Sequence, residues 1–356
     1  MPSVFITRMR IAALVCASAW ILRGAIHSQT VPDISGPTAQ ASGNPKDTRN
    51  PTDQLADARR LVEQAKLDTA ESQLRQVLRS HPESAEAHFL LGYVFFRQIQ
   101  ETAKREGRID PLYQTQHARD ALAEYTAGAK YQTPSAFDLK VVALNCVLLA
   151  DYTAADKWLT QSVAIDGKDF EAWYYLGRTK YHENRFQEAI EAFKKCLELH
   201  PRDVKAEDNL GLSYAALELR DDAMSAYRTA IDWQSDSAIK DSGPFIDRGT
   251  LLLEENRAPE AIPDLSQGVA LSPQESRAHA ELGKAYLKIN ELRKAQTELE
   301  KAVALAPQDA ALHYVLAQIY RREGLLDKAK AEFARTAELN SNRSSRINDQ
   351  PPSRGD

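Results

Sequence analysis

The chain has 356 residues, enough for two average domains or one long repeat array. Its 45 Lys and Arg against 50 Asp and Glu leave a formal charge of −5, which gives no reason to expect nucleic acid or an anionic membrane as partner. Gly (15) and Pro (16) are few and 27% of residues are charged, the balance of a soluble, helix-rich protein, and three cysteines cannot build a disulfide framework.

Residues 1–28 read as an export signal. Arg8 and Arg10 flank the apolar run Ile11 to Leu22, whose 12 residues fall short of the roughly 20 that span a bilayer. Cleavage is expected after Ser28. Arg23, just past the apolar run, makes a retained anchor over residues 8–28 the alternative, and it would be the chain's only membrane contact. A lipidation site at Cys16 is disfavoured by the bulky Val15 before it. The expected location is therefore periplasmic or secreted. Residues 29–50 are rich in Pro, Gly, Ser, Thr and Asn without apolar periodicity, and read as a disordered linker.

From Pro51 a period appears. Ala70, Ala121, Ala155, Ala189, Ala223, Ala261, Ala295 and Ala329 follow one another at 51, 34, 34, 34, 38, 34 and 34 residues. Twelve residues upstream stands a small residue each time: Ala58, Ala143, Gly177, Gly211, Gly249, Gly283 and Ala317, with Gly92 displaced by an insertion in the second copy. Four residues after each alanine comes a bulky one: Leu74, Tyr125, Leu159, Phe193, Tyr227, Leu265, Leu299 and Phe333. In the clearest copy, Ala172 to Pro201, the residues Trp173, Leu176, Gly177, Ala189, Phe193 and Pro201 match W-x2-L-G-x2-Y…A-x3-F…P, except that Lys180 replaces the Tyr and Tyr181 follows it. The chain thus resembles the tetratricopeptide repeat (TPR) family over residues 51–340, in about eight copies. The resemblance implies an all-α fold, a right-handed superhelical solenoid of antiparallel helix hairpins, in which a small residue on each first helix admits the second.

Two interruptions break the register. Residues 97–116 lie between the helices of repeat two, charged and helix-prone until Asp110-Pro111. They read either as a prolonged first helix with a returning loop or as a flap over the groove. Residues 236–243 precede repeat six, whose second helix carries Pro263 and Gly268, so a joint is expected between repeats 1–5 (51–235) and 6–8 (244–340). Cys146 and Cys196 fall on core stripes. The polar tail 341–356 reads as disordered, and its Arg354-Gly355-Asp356 as a chance match to an integrin-binding tripeptide.

No phosphate loop, dinucleotide fingerprint, nucleophile elbow or H-E-x2-H occurs, and no Cys/His set has zinc spacing. His88, His279 and His313 occupy the Trp position and read as half-buried packing residues. No catalytic residue, metal or cofactor is expected, and an enzyme of unrecognised type ranks last. In the family, first helices line the concave face. The positions that point into it here carry Arg59, Arg97, Lys140, Arg178, Lys205, Arg277, Lys284, Lys288, Arg321 and Arg322, against Glu63, Glu86, Glu171, Asp208 and Glu254. With the aromatics this gives a candidate peptide-binding groove of Phe89, Tyr93, Phe96, Arg97, Tyr174, Arg178, Tyr181, His182, Arg277, Lys284, Lys288, Arg321 and Arg322. The expected partner is a protein or peptide, acidic or carboxylate-bearing, and neither a nucleic acid nor a small-molecule substrate. A non-enzymatic scaffold is the first reading. A structural subunit of an envelope assembly (secretion, pilus or polysaccharide export), working through its convex surface, is the second.

Overall fold

The computed structural model describes residues 50–107 and 109–348. The expected signal and nearly all of the expected linker, with residues 349–356, lie outside them. Every regular element among the described residues is an α-helix, and they group into two compact units. The first, up to Asn184, holds α1 (Pro51–Glu63), α2 (Leu67–Ser80), α3 (Ala85–Glu106), α4 (Pro111–Gly128), α5 (Ala136–Leu148), α6 (Tyr152–Ile165) and α7 (Phe170–His182). The second, from Arg185, holds α8 (Phe186–Leu199), α9 (Val204–Ala216), α10 (Arg220–Trp233), α11 (Gly243–Glu254), α12 (Ala258–Leu271), α13 (Ser276–Lys288), α14 (Leu292–Leu305), α15 (Ala310–Arg322) and α16 (Leu326–Asn348).

Helix starts follow from capping chemistry. Asn50, Ser84, Asp110, Asp151, Asp169, Asp203 and Asp309 each accept a hydrogen bond from a first-turn amide, and Ser135 forms a full capping box with Asp138. Each hairpin turn needs one left-handed residue. It is Ala65, Gly107, Ala150, Asn184, Glu218, Asn256, Asn290 or Gly324, so the sequence period reappears in the backbone. Only two are glycine, and the others occupy a conformation that costs a side-chain-bearing residue something.

Within a unit each first helix packs on the second helix of its own repeat and on the first helix of the next. The small residues sit where the bulky ones arrive. A Cβ on Gly92 would meet the Tyr125 ring at 2.9 Å, one on Gly211 the Tyr227 ring at 2.5 Å, and one on Gly249 Leu265 Cγ at 2.6 Å. Leu74, Tyr125, Leu159, Tyr227, Leu265 and Leu299 are all buried, and with the alanines they form the core.

The insertion in repeat two is absorbed as helix. α3 runs 22 residues to Glu106 and α4 begins at Pro111, so the first helix is prolonged and the second returns along it. Residues 236–243 lie inside the second unit, where buried Gln234 ties the loop by accepting from the Asp241 amide (2.6 Å) and donating to its carbonyl (3.1 Å). The unit boundary falls at Asn184, inside repeat four. α12 continues through Pro263 as one helix. Its Gly268 leaves room for Ile246, and Arg248 clamps Asp264 at 2.7 and 2.6 Å, which offsets the softening. The tail departs from its reading as disordered from residue 341: α16 extends to Asn348, because no Gly or Pro interrupts it before Pro351.

Gly283 is the most confined glycine, directly against Leu299. Gly283→Ala should cost about 1–3 kcal/mol by overpacking and Leu299→Ala about 2–5 kcal/mol by leaving a cavity. Urea unfolding of the double variant should fall short of the summed losses, since the smaller residue relieves the overlap. Strict additivity would refute the contact.

Candidate functional site

The first unit holds a cavity of about 310 Å³, walled by three successive first helices, α3, α5 and α7. Its floor is apolar: Phe96, Val141 and Leu144 are all buried. Its sides are rings. Tyr93 meets Phe137 edge-on at 5.2 Å, Phe137 is 46% exposed, and Tyr175 completes the wall. Charges at the rim are paired. Arg97 bonds Glu101 at 3.2 Å and lies over the Tyr93 ring, while Lys140 bonds Asp169 at 2.7 Å and Glu171 at 3.0 Å. Burial alone would disfavour the Lys140 ammonium; its two carboxylate partners outweigh that and keep it charged. Exposed Lys104, from the prolonged end of α3, has no ion-pair partner among the described residues.

Of the residues expected in the groove, Tyr93, Phe96 and Arg97 come together here. Phe89 does not. It is 7% exposed, stacks on Tyr125 at 5.8 Å, and occupies the space that Gly128 leaves on α4, so it is core. Arg178 lies on α7 over the Tyr174 ring at 5.9 Å and has no carboxylate within ion-pair reach among the described residues. Next to it, His182 stacks on Tyr152 at 4.6 Å and meets Tyr181 edge-on. Burial, then the Arg178 charge, lowers the His182 pKa to about 4, so the ring is a neutral aromatic at physiological pH. Lys180, at the expected Tyr position, is buried and bonds Asp156 at 2.6 Å, which makes it an internal link between α6 and α7.

In the second unit the candidate cations are largely engaged. Lys284 pairs with Glu281 at 2.7 Å. Lys288 bonds Asn256 Oδ1 at 2.8 Å, and Arg322 bonds Asn290 Oδ1 at 2.7 Å. The last two make the same link, from a first helix to the left-handed asparagine of the preceding turn. Arg321 is exposed and lies 6.0 Å from the centre of the Phe333 ring. Arg277 bonds Asp247, which shares a buried site with Asp208; the three come from the first helices α9, α11 and α13. Burial, then the charges of Asp247 and Asp241, push the Asp208 carboxyl well above its usual range. Burial raises Asp247 as well, against the opposing pull of Arg277. Two carboxyls buried together disfavour each other's charge, in the direction both are shifted.

The Trp position does more than fill volume. The Trp173 indole N–H donates to the Gly167 carbonyl at 3.0 Å. His88, His279 and His313 place Nε2 against the Pro82, Pro273 and Pro307 carbonyls at 2.9, 3.0 and 3.0 Å, and Nδ1 against Glu124, Glu298 and Glu332 on the second helix. The signal was present in the sequence: each such His is matched by a Glu three residues after the repeat alanine, where Trp173 is matched by Ala192.

Two pH responses follow. His182 titrates near 6.5 unfolded and about 4 folded, so its stabilising share is complete above 6.5 and lost as pH falls toward 4. His182→Phe should keep the stack and lose less thermal stability than wild type between about pH 7 and pH 4.5. For Asp208 the sign is opposite. Its folded value lies above the usual 3.8, so folding takes up a proton and stability falls as pH rises past that value. The stability of Asp208→Asn relative to wild type should grow as pH rises above about 3.8 in urea titrations; a pH-independent difference would refute the raised carboxyl.

No group of three or more His, Cys, Asp or Glu among the described residues could hold a metal ion, and no described helix is long and apolar enough to cross a membrane. Family models described as tetratricopeptide repeat match residues 55–103, 170–203, 252–319 and 310–343. A curated relative, the mouse PEX5-related protein, is 35% identical over 74 residues, covering 21% of this chain and 13% of its own. The DnaJ homolog subfamily C member 7 homolog of Dictyostelium discoideum is 22% identical over 205 residues, 54% of this chain and 36% of its own. The chain thus spans between about an eighth and a third of these relatives. Among solved structures, a tetratricopeptide repeat protein from Parabacteroides merdae matches with TM-score 0.57 and 17% identity over 79% of this chain and 98% of that one. The APC/C hetero-tetramer Cut9-Hcn1 matches with TM-score 0.57 and 15% identity over 81% and 53%. These two likenesses establish the fold.

Proposed function

Because the chain belongs to the tetratricopeptide-repeat family of protein-interaction scaffolds, we propose that it is an exported, non-enzymatic scaffold that holds a segment of a partner polypeptide on the first-helix face of its first unit. The observation that carries the reading is the cavity between α3, α5 and α7, where rings stand beside charged groups on rigid helices. Arg178, with no carboxylate of its own, is the group that would pair with an acidic or C-terminal carboxylate of that segment. Export rests on the basic flank and short apolar run of residues 1–28.

The reading is tested by site-specific photocrosslinking in the full chain, with a benzophenone amino acid at Phe137 in the cavity wall or at exposed Gln161 on α6. Adducts to a polypeptide at 137 and not at 161 are expected, and Arg178→Glu should reduce their yield several-fold. Adducts at 161 alone would favour assembly through the opposite surface. A mature chain beginning at Gln29 would establish the cleaved signal; an intact N-terminus in a membrane fraction would favour the anchor.

A further inference from the structure

The reading above leaves open what the cavity grips, and the charges around it bear on that. Arg97 is paired with Glu101, and Lys140 is held by both Asp169 and Glu171. Lys104 alone is uncompensated, and it stands exposed at the rim. Inside, the surface is Phe96, Val141 and Leu144 below and the rings of Tyr93, Phe137 and Tyr175 around. A carboxylate entering this space would lose its hydration and find Arg97 and Lys140 already bonded to other carboxylates, with Lys104 outside at the solvent-exposed rim, so its desolvation would go largely uncompensated. An uncharged group meets no such cost.

Two polar groups there are free to bond a ligand. The Gln100 amide and the Tyr175 hydroxyl make no hydrogen bond among the described residues, and both are only partly exposed. Together they offer donors and an acceptor to a peptide backbone lying across the rim. A volume of about 310 Å³ is at the lower end for ligand pockets, room for one large side chain.

We infer that this cavity anchors a bulky uncharged side chain, aromatic or large aliphatic, of the partner segment, and that the insertion in repeat two creates the selectivity. Arg97, Gln100, Glu101 and Lys104 all lie in the inserted stretch and form one wall of the cavity on the prolonged α3. Carboxylate recognition then belongs outside the cavity, at Arg178. The inference rests on the proposed use of this face, and its failure can be told from the failure of that reading.

The test selects phage-displayed random peptides of about 12 residues on the full-length chain and on Phe137→Asp, Gln100→Trp and Arg178→Glu variants, each first checked for wild-type helicity and melting. Wild type should enrich Trp, Phe, Tyr, Leu, Ile or Met several-fold at one position. Phe137→Asp, which places a charge in the wall, and Gln100→Trp, which fills the space, should each abolish that preference. Arg178→Glu should keep it while losing any accompanying acidic residue. A consensus of acidic residues with no bulky apolar position, lost in Arg178→Glu alone, would overturn the anchor and leave the groove standing. A consensus indifferent to all three variants, or no consensus at all, would overturn both.

Discussion

Within each unit the structure depends on one contact, the seating of a bulky side chain from a second helix on a small residue of the first. Where that residue is Gly92, Gly211, Gly249 or Gly283, no Cβ could be added without moving the ring or branched chain opposite. Interiors packed to crystal-like density have little slack, so this contact sets how close the two helices lie. Each hairpin still has a face it cannot bury alone, and neighbouring hairpins cover it. The 34-residue period is thus the sequence trace of a packing requirement met hairpin by hairpin. The same logic runs in the other direction too: Gly268 on α12 leaves the space that Ile246 of α11 fills.

Several first-helix cations are used to join successive repeats. Lys140 reaches carboxylates on and just before α7, Lys180 reaches back to α6, Arg277 reaches Asp247 on α11, and Lys288 and Arg322 bond the turns behind them. Several of these residues occupy the positions expected to face a partner. A buried pair is a poor source of net stability, but losing one member leaves the other desolvated and alone, so the pairing is strongly constrained. What remains for recognition is the remainder after internal pairing: Arg178 and Arg321 over rings, Lys104 on the prolonged helix, and the neutral aromatic set around the cavity.

That distinction explains what could be read from the sequence. Helix existence, register and the core were legible, because the alanine, the small residue and the bulky residue each need a particular size at a fixed spacing. The position of Phe89 matches a groove position, yet the residue is core: Gly128 opens a space on α4 that only the three-dimensional packing reveals. Cation count overstated the available positive charge, since partners such as Asp247 for Arg277 lie 30 residues away on another helix. At the expected joint, Gln234 ties residues 236–243 to α10, and the Arg248–Asp264 pair spans α11 and α12 beside Pro263. The His–Glu links were visible as paired substitutions and become intelligible only once the Trp position is seen to bond the turn before it.

The insertion in repeat two shows how an array built for uniform packing acquires a distinctive site. A groove lined only by regular repeats presents each first helix for about three and a half turns, because the hairpin turn comes at the same place each time. Prolonging α3 and α4 together leaves the contact of Gly92 with Tyr125 intact while it adds turns of helix past the regular hairpin length. Those turns have no packing duty on one side. Gln100, Glu101 and Lys104 are therefore set by neither the small-residue rule nor the inter-repeat ion pairs, and stand beside Phe137 and Tyr175, which are only partly covered. Freedom from the packing rule in one place, held rigid by that rule everywhere else, is the condition a selective site on a repeat scaffold requires.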